Sequence, residues 1–145
     1  MGLFTSINIA STGMSAERLR TDVISNNIAN VSTTRTPEGG VFKRSRVILA
    51  QKKNGIDWRN PFVPSSLHRG LGTGVKVVGI EKDTSDSKWV YDPSNPDAIQ
   101  TGPRKGFVEY PNVDVVTEMV DLISASRSYE ANVAVVQGAK DMFHK

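Results

Sequence analysis

The side chains best suited to acid–base chemistry or metal binding in this chain are its two histidines. His68 stands in the sequence Leu-His-Arg and His144 in Phe-His-Lys, so neither has a carboxylate neighbour along the chain. A catalytic or metal-binding histidine ordinarily has such a partner, which fixes its tautomer and orientation. We therefore interpret both as exposed or partly packed histidines and predict no catalytic, cofactor-binding or metal-binding residue.

Other candidate sites are equally weak. Residues 70–74, Gly-Leu-Gly-Thr-Gly, lack the Gly-x-Gly-x-x-Gly spacing of a phosphate loop, and no helical pattern follows them. The motifs Gly-x-Ser-x-Gly and His-Glu-x-x-His do not occur, and the absence of cysteine excludes disulfides, thiolate metal sites and a cysteine nucleophile. We interpret four aspartates in a polar stretch as solvated turn residues: Asp83, Asp86, Asp92 and Asp97.

The basic residues do not form an obvious nucleic-acid site. The chain has 18 basic and 15 acidic residues, a net charge of +3, and both signs are spread along it. Its densest basic run is Lys-Arg-Ser-Arg at 43–46. On a strand Lys43 and Ser45 would share one face and Arg44 and Arg46 the other, which splits the charge. The run is typical of a solvated strand or a subunit contact.

The last third of the chain carries a helical pattern. Apolar positions recur at alternating steps of four and three, as in a coiled-coil seam. The seam runs through Val115, Met119, Leu122, Ser126, Tyr129, Val133, Val136, Lys140 and Phe143. Either Asn112 or Asp114 is expected to cap the start of this helix.

A second helical pattern covers residues 3–31. Its track passes through Ile7, Ala10, Met14, Ile24, Ile28 and Val31. The stripe is interrupted at Glu17 and Thr21, and Gly13 weakens the helix by up to about 1 kcal/mol relative to alanine. Asn30 and the polar residues after it are expected to end the helix.

The middle of the chain reads as strands and loops. Apolar and β-branched runs bounded by turn residues predict strands at 41–50, 74–81 and 88–91, and loops at 60–66 and 92–97. We predict an α+β fold, in which long N- and C-terminal helices pair as a coiled-coil-like bundle around an inserted β-rich module. Residues 1–33 and 112–145 would form the helical domain, and residues 34–111 the inserted domain.

This organisation favours an assembling subunit over an enzyme. Only 38% of residues are hydrophobic and 7% aromatic, so a large self-sufficient core is not expected. Long apolar stripes at both termini need partners, which copies or relatives of the chain would provide. The predicted subunit-interface residues are Ile7, Met14, Ile24, Ile28, Val31, Val115, Met119, Leu122, Tyr129, Val133, Val136 and Phe143.

Two terminal motifs carry a family resemblance. Residues 25–33, Ser-Asn-Asn-Ile-Ala-Asn-Val-Ser-Thr, resemble the N-terminal signature of bacterial flagellar axial proteins, and residues 110–133 resemble the C-terminal signature of rod and hook proteins. The pieces at 74–77 and 91–98 are similar to those of the proximal rod subunits within that family. Residues matched to the family motifs are Asn26, Asn27, Ala29, Asn30, Pro111, Asn112, Val113, Glu118, Arg127 and Tyr129.

The resemblance implies a structural subunit of the flagellar basal-body rod, the driveshaft that crosses the periplasm, transmits torque and houses the export channel. Implied partners are copies of the chain in a helical assembly, other proximal and distal rod proteins, the adapter to the membrane ring and the flagellar type III export apparatus. No cofactor, nucleic acid or small-molecule substrate is implied. We expect export without a cleaved signal peptide, since no secretory signal is visible and no apolar run approaches the ~20 residues that span a bilayer.

Three alternative interpretations compete with a rod subunit. The nearest alternative is another axial subunit of the same family. The Tyr-Pro-Asn-Val segment at 110–113 and the Pro-Asp-Ala turn at 96–98 argue against it. A small hydrolase or transferase has no supporting motif. A membrane-surface protein is disfavoured because the C-terminal helix carries acidic residues that an anionic surface would repel: Asp114, Glu118, Asp121 and Glu130.

Overall fold

The computed structural model describes residues 3–52 and 73–144. The elements follow the order α1 (Leu3–Ala29), β1 (Ser45–Gln51), β2 (Val75–Lys82), β3 (Lys88–Tyr91), β4 (Phe107–Tyr110) and α2 (Val115–His144). The predicted α+β fold is confirmed: two long helices flank a small β module. None of the helices in the described ranges is long and apolar enough to cross a membrane.

The two helices form an antiparallel pair. At one end the rings of Phe4 and Phe143 meet edge to face, 6.5 Å between centroids. At the other end Asn27 donates a 3.1 Å hydrogen bond to Glu118. Midway, Gly13 lies so close to α2 that a Cβ atom there would come within 2.9 Å of the side-chain nitrogen of Asn132. The glycine that weakens α1 locally therefore allows the helices to approach each other.

The face of α2 that meets α1 differs from the predicted seam. The buried residues of α2 are Glu118, Ala125 and Ala139, which lie one or two heptads apart. Of the predicted seam residues, Leu122, Val133 and Val136 are half-buried, while Val115, Met119, Tyr129 and Phe143 are exposed. The seven-residue period was correct, but the predicted seam lies only partly on this face, because small and polar residues occupy the centre of the contact and leave Val115, Met119 and Tyr129 outside.

The strands form two separate antiparallel pairs. β1 pairs with β2, with an irregularity between Ile48 and Leu49, and β3 pairs with β4. The predicted strands at 74–81 and 88–91 correspond to β2 and β3. β1 begins at Ser45, later than predicted, because Phe42 bonds back to the Thr33 carbonyl and Arg44 turns toward α2. The short strand β4 was not predicted.

Side-chain caps define the turns. Asp114 accepts hydrogen bonds from the Val116 backbone N–H and the Thr117 hydroxyl, so it caps α2 in preference to Asn112. In the predicted loop at 92–97, Asp92 and Asn95 each accept a backbone N–H two residues further on. The predicted loop at 60–66 lies outside the described residues.

Candidate functional site: a polar junction and an outer stripe

Asn27, on the last turns of α1, joins the helix to the start of β1. Its side-chain nitrogen donates to the Ser45 carbonyl at 2.9 Å, and its oxygen accepts the Ser45 N–H at 3.0 Å. The same nitrogen donates to Glu118 of α2. Asn27 is only 1% exposed, so its amide replaces the water that these buried groups would otherwise need.

Glu118 is the buried charge of this region, at 1% exposure. Arg44, which immediately precedes β1, places both Nε and one terminal nitrogen 2.5 Å from its Oε1 atom. Arg44 also reaches Asp121 at 3.5 Å, and Asp121 in turn meets Arg20 of α1 at 3.3 Å. A buried carboxylate is tolerated only when it is paired and hydrogen-bonded, and Arg44 and Asn27 satisfy that requirement.

We call the group Asn27, Arg44, Ser45 and Glu118 the polar junction. It forms where the chain leaves α1 for the β module and where it returns into α2. A cleft of about 230 Å³ adjoins it, walled by junction side chains and by apolar residues of α1 and β1. The apolar wall consists of Val23, Ile24, Val47 and Leu49. The junction therefore holds together three segments that are distant in the sequence.

The face of α2 that points away from α1 carries an apolar surface, which we call the outer stripe. It consists of Val116, Met119, Val120 and Ile123, whose spacing places them on one side of the first two turns. Their exposures are 70%, 53%, 61% and 53%. Single exposed apolar residues are ordinary, whereas a contiguous group on a helix indicates a contact surface.

The predicted interface residues divide between the inside and the outside of the subunit. Ile24 is buried in the helix pair, and seven others are half-buried. Four of these lie in α1 or just beyond it, and three lie in α2: Ile7, Met14, Ile28 and Val31, and Leu122, Val133 and Val136. The exposed members are Val115, Met119, Tyr129 and Phe143. Whether any of them meets another subunit stays a prediction.

The residues matched to the family motifs differ in their burial and hydrogen bonding. Asn27, Glu118, Pro111 and Val113 are buried, the first two in the polar junction. Asn30 donates to the Asn26 carbonyl and side chain on the same helix turn. The remaining motif residues are exposed: Asn26, Ala29, Asn112, Arg127 and Tyr129.

Within the described residues, the fold does not gather the candidate catalytic and metal-binding side chains into one site. His144 is exposed at the end of α2, and His68 and most of the glycine run at 70–74 lie outside the described residues. Across residues 3–52 and 73–144, no group of three or more acidic or histidine side chains is placed to hold a metal ion. Asp97 accepts a hydrogen bond from Thr34 at 2.6 Å, and Asp83 accepts from Ser85 and lies 3.5 Å from Arg46.

Asp83 directly follows β2 and is held by its neighbours in the turn toward β3. Its pKa lies below its ordinary value, first because the Ser85 hydroxyl donates to it and then because the Ser85 backbone N–H does the same. The nearby guanidinium groups of Arg46 and Arg44 act in the same direction. These are the features of an aspartate that closes the turn between β2 and β3.

Two family models match this chain, one over most of α1 and one over α2. A model described as "Flagella basal body rod protein" matches residues 7–35, and one described as "Flagellar basal body rod FlgEFG protein C-terminal" matches residues 104–145. A flagellar basal-body rod protein FlgC of Borreliella burgdorferi is 59% identical over 143 residues, which cover 99% of this chain and 94% of that protein. The chain belongs to the FlgC family of flagellar basal-body rod proteins.

More distant members support the same assignment. The FlgC protein of Bacillus subtilis is 39% identical over all of this chain and 96% of its own length, and that of Escherichia coli O6:H1 is 34% identical with the same coverage. The chain is thus a structural subunit of the basal-body rod. Asn27 and Glu118 fall within the two matched segments, and Arg44 and Ser45 fall between them.

Proposed function

We propose that this FlgC-family subunit polymerises through its terminal helices into the part of the rod that crosses the periplasm. In that position it would transmit torque and help to enclose the export channel. The observation that carries the proposal is the outer stripe, which leaves four large apolar side chains of α2 uncovered. Its role is structural, and no catalytic step is assigned to it.

The energy available from the stripe fits an assembly with several contacts per subunit. Completing the burial of its four partly exposed side chains would contribute roughly 4–8 kcal/mol. Association itself costs about 4–15 kcal/mol. Because these two ranges overlap, the stripe alone would give a weak dimer at most, whereas a helical array gives each subunit several neighbours through contacts that repeat without closing.

The proposed partners are copies of this chain, other proximal and distal rod proteins and the adapter to the membrane ring. The family resemblance also supports delivery by the flagellar type III export apparatus, a route that uses no cleaved signal peptide. The relatives' names, which specify a basal-body rod protein, support the rod as the place of assembly.

The test is incorporation into purified basal bodies. A strain whose own copy is deleted would express the parent chain, Val120→Asp or the control Ser124→Asp. Ser124 is exposed on the same helix but lies outside the outer stripe. We expect mass spectrometry to find the parent and the control at equal copy number, and Val120→Asp to be absent. Normal incorporation of Val120→Asp would contradict a subunit contact through the stripe.

A further inference from the structure

The β1–β2 sheet rests on α1 and reaches α2 only through side chains. No Cα atom of α2 lies within 8 Å of a Cα atom of any of the four strands, whereas α1 approaches both β1 and β2 that closely. The links from α2 are the carboxylates of Glu118 and Asp121, which both contact Arg44 before β1. The position of this sheet on the helix pair is therefore set by its contacts with α1 and by the polar junction.

Two polar contacts fix the sheet to α1, one near each end. Asn27 bonds both backbone groups of Ser45, the first residue of β1. Near the other end, the Thr12 hydroxyl accepts the backbone N–H of Val75, the first residue of β2, at 3.1 Å. Val75 pairs with Gln51, the last residue of β1, so the two contacts lie at opposite ends of the sheet.

The distance between the two contacts is nearly the same along α1 and along β1. The 15 residues from Thr12 to Asn27 rise about 22 Å along a helix. The six steps of β1 from Ser45 to Gln51 span about 20 Å. β1 can therefore lie antiparallel along α1 with both hydrogen-bonded ends in register.

Directional contacts of this kind resist sliding better than apolar contacts do. Val47 and Leu49 could move along α1 with little change in the area they bury, since burial depends on area and not on direction. A shift of one residue would break the hydrogen bonds at Ser45 and Val75 together and leave partly buried polar groups without partners. The two polar ends thus favour a single register.

We propose that Thr12 and Asn27 are positioning residues that fix the register of the β1–β2 sheet along the helix pair, with Glu118 and Arg44 extending this control to α2. The inference rests on the proposed function in one respect: the placement of the sheet decides which surfaces a subunit offers its neighbours in the rod. Thr12, which lies outside the family motif at residues 25–33, thereby gains a positioning role through its hydroxyl group.

Spin labels can measure the register directly, because the chain has no cysteine. Asp22→Cys on α1 and Lys76→Cys on β2 replace exposed residues and report the distance between helix and sheet. The test variants are Thr12→Val, which replaces the hydroxyl with a methyl group, and Asn27→Leu. Thr12→Ser keeps the hydroxyl and is the matched control.

The purified parent and Thr12→Ser should give one narrow distance distribution. Thr12→Val, alone and with Asn27→Leu, should broaden it and shift its mean by about 3 Å, one residue along a strand. Helical circular dichroism should stay unchanged in Thr12→Val, which separates a register change from unfolding. If Asn27→Leu does not fold, Thr12→Val alone still decides the question.

Two results would overturn the inference: a parent distribution as broad as that of the variants, or a Thr12→Val distribution that superimposes on the parent's. Incorporation of the same variants into basal bodies separates this inference from the proposed function. A parent chain that fails to enter the rod contradicts the proposed function whatever the distances are. Variants that enter normally with unchanged distances contradict the register role alone.

Discussion

The carboxylate of Glu118 on α2 is paired with Arg44, 74 residues earlier in the chain, and only 1% of the Glu118 side chain is exposed. The pair closes the helical part of the subunit over the first strand of the β module. A buried ion pair is weak evidence of net stability, because desolvation offsets much of the attraction. Removing only one partner of the pair is nevertheless costly, because the other charge stays buried without compensation.

Arg44→Met should destabilise the subunit by about 3–5 kcal/mol, because the Glu118 charge would stay buried without its partner. The double variant Arg44→Met/Glu118→Leu should recover most of that loss. Urea unfolding of the two single variants, the double variant and the parent gives the coupling energy. A single Arg44→Met variant as stable as the parent would show that the pair is not formed.

Gly74→Ala should destabilise the subunit by at least about 2 kcal/mol. Gly74 has a φ of +115°, and a Cβ atom on it would overlap the Thr12 hydroxyl that bonds Val75. The matched control is Gly79→Ala on β2, where nothing lies within 4 Å of an added Cβ atom. That control should be neutral or stabilising by up to about 1 kcal/mol. Equal thermal unfolding of the two variants would contradict this account of Gly74.

Asp83 should titrate below its ordinary pKa in an NMR experiment, and Ser85→Ala should raise its pKa toward the ordinary value. The Ser85 hydroxyl is the leading cause of the shift, followed by the Ser85 N–H. Because the folded-state pKa is lowered, the stability contributed by this carboxylate is present above its unfolded pKa. It is lost as pH falls through the folded pKa, in the acidic range below about 4. No change of the Asp83 pKa in Ser85→Ala would contradict the leading role of the hydroxyl and leave the backbone N–H and the arginines as the causes.

Two adjacent residues of α2 should respond differently to the same substitution. Leu122 is half-buried, so Leu122→Asp would place a charge against the helix pair and lower the subunit's own melting temperature. Ile123 is 53% exposed in the outer stripe, so Ile123→Asp should leave the melting temperature within a few degrees of the parent's. Both should abolish motility in a complementation assay. A motile Ile123→Asp strain, or equal destabilisation by both changes, would be the contrary result.

The sequence pattern was sufficient for the order of every element except β4, but not for the faces of the helices. Alternating steps of three and four locate α2 correctly, yet the largest apolar residues were placed on the inner face. In the fold, Ala125 and Ala139 occupy that face, and Val115 and Met119 of the predicted seam are exposed. A subunit that must later bind neighbours keeps apolar side chains outside, which a pattern that assumes one complete core does not reveal.

The polar junction was not predictable from local spacing. Asn27 bonds groups 18 and 91 residues away, and only the tertiary fold brings them within reach. The motif comparison singled out Asn27 and Glu118 individually, without a physical role for either. The Asn27 amide bonds backbone groups at the start of β1, beyond the end of its own helix. The short strand β4 was missed because its four residues follow a turn and carry little pattern of their own.

The outer stripe as a contact between subunits is the central claim, and photo-crosslinking tests it most directly. A photoreactive amino acid would replace Val120 in cells that assemble basal bodies, with the exposed Gln137 of α2 as the control position. We predict that irradiation of purified basal bodies converts the Val120-labelled chain to adducts with another rod subunit. Recovery of this chain at monomer mass after irradiation, while it is present in the basal bodies, would contradict the claim.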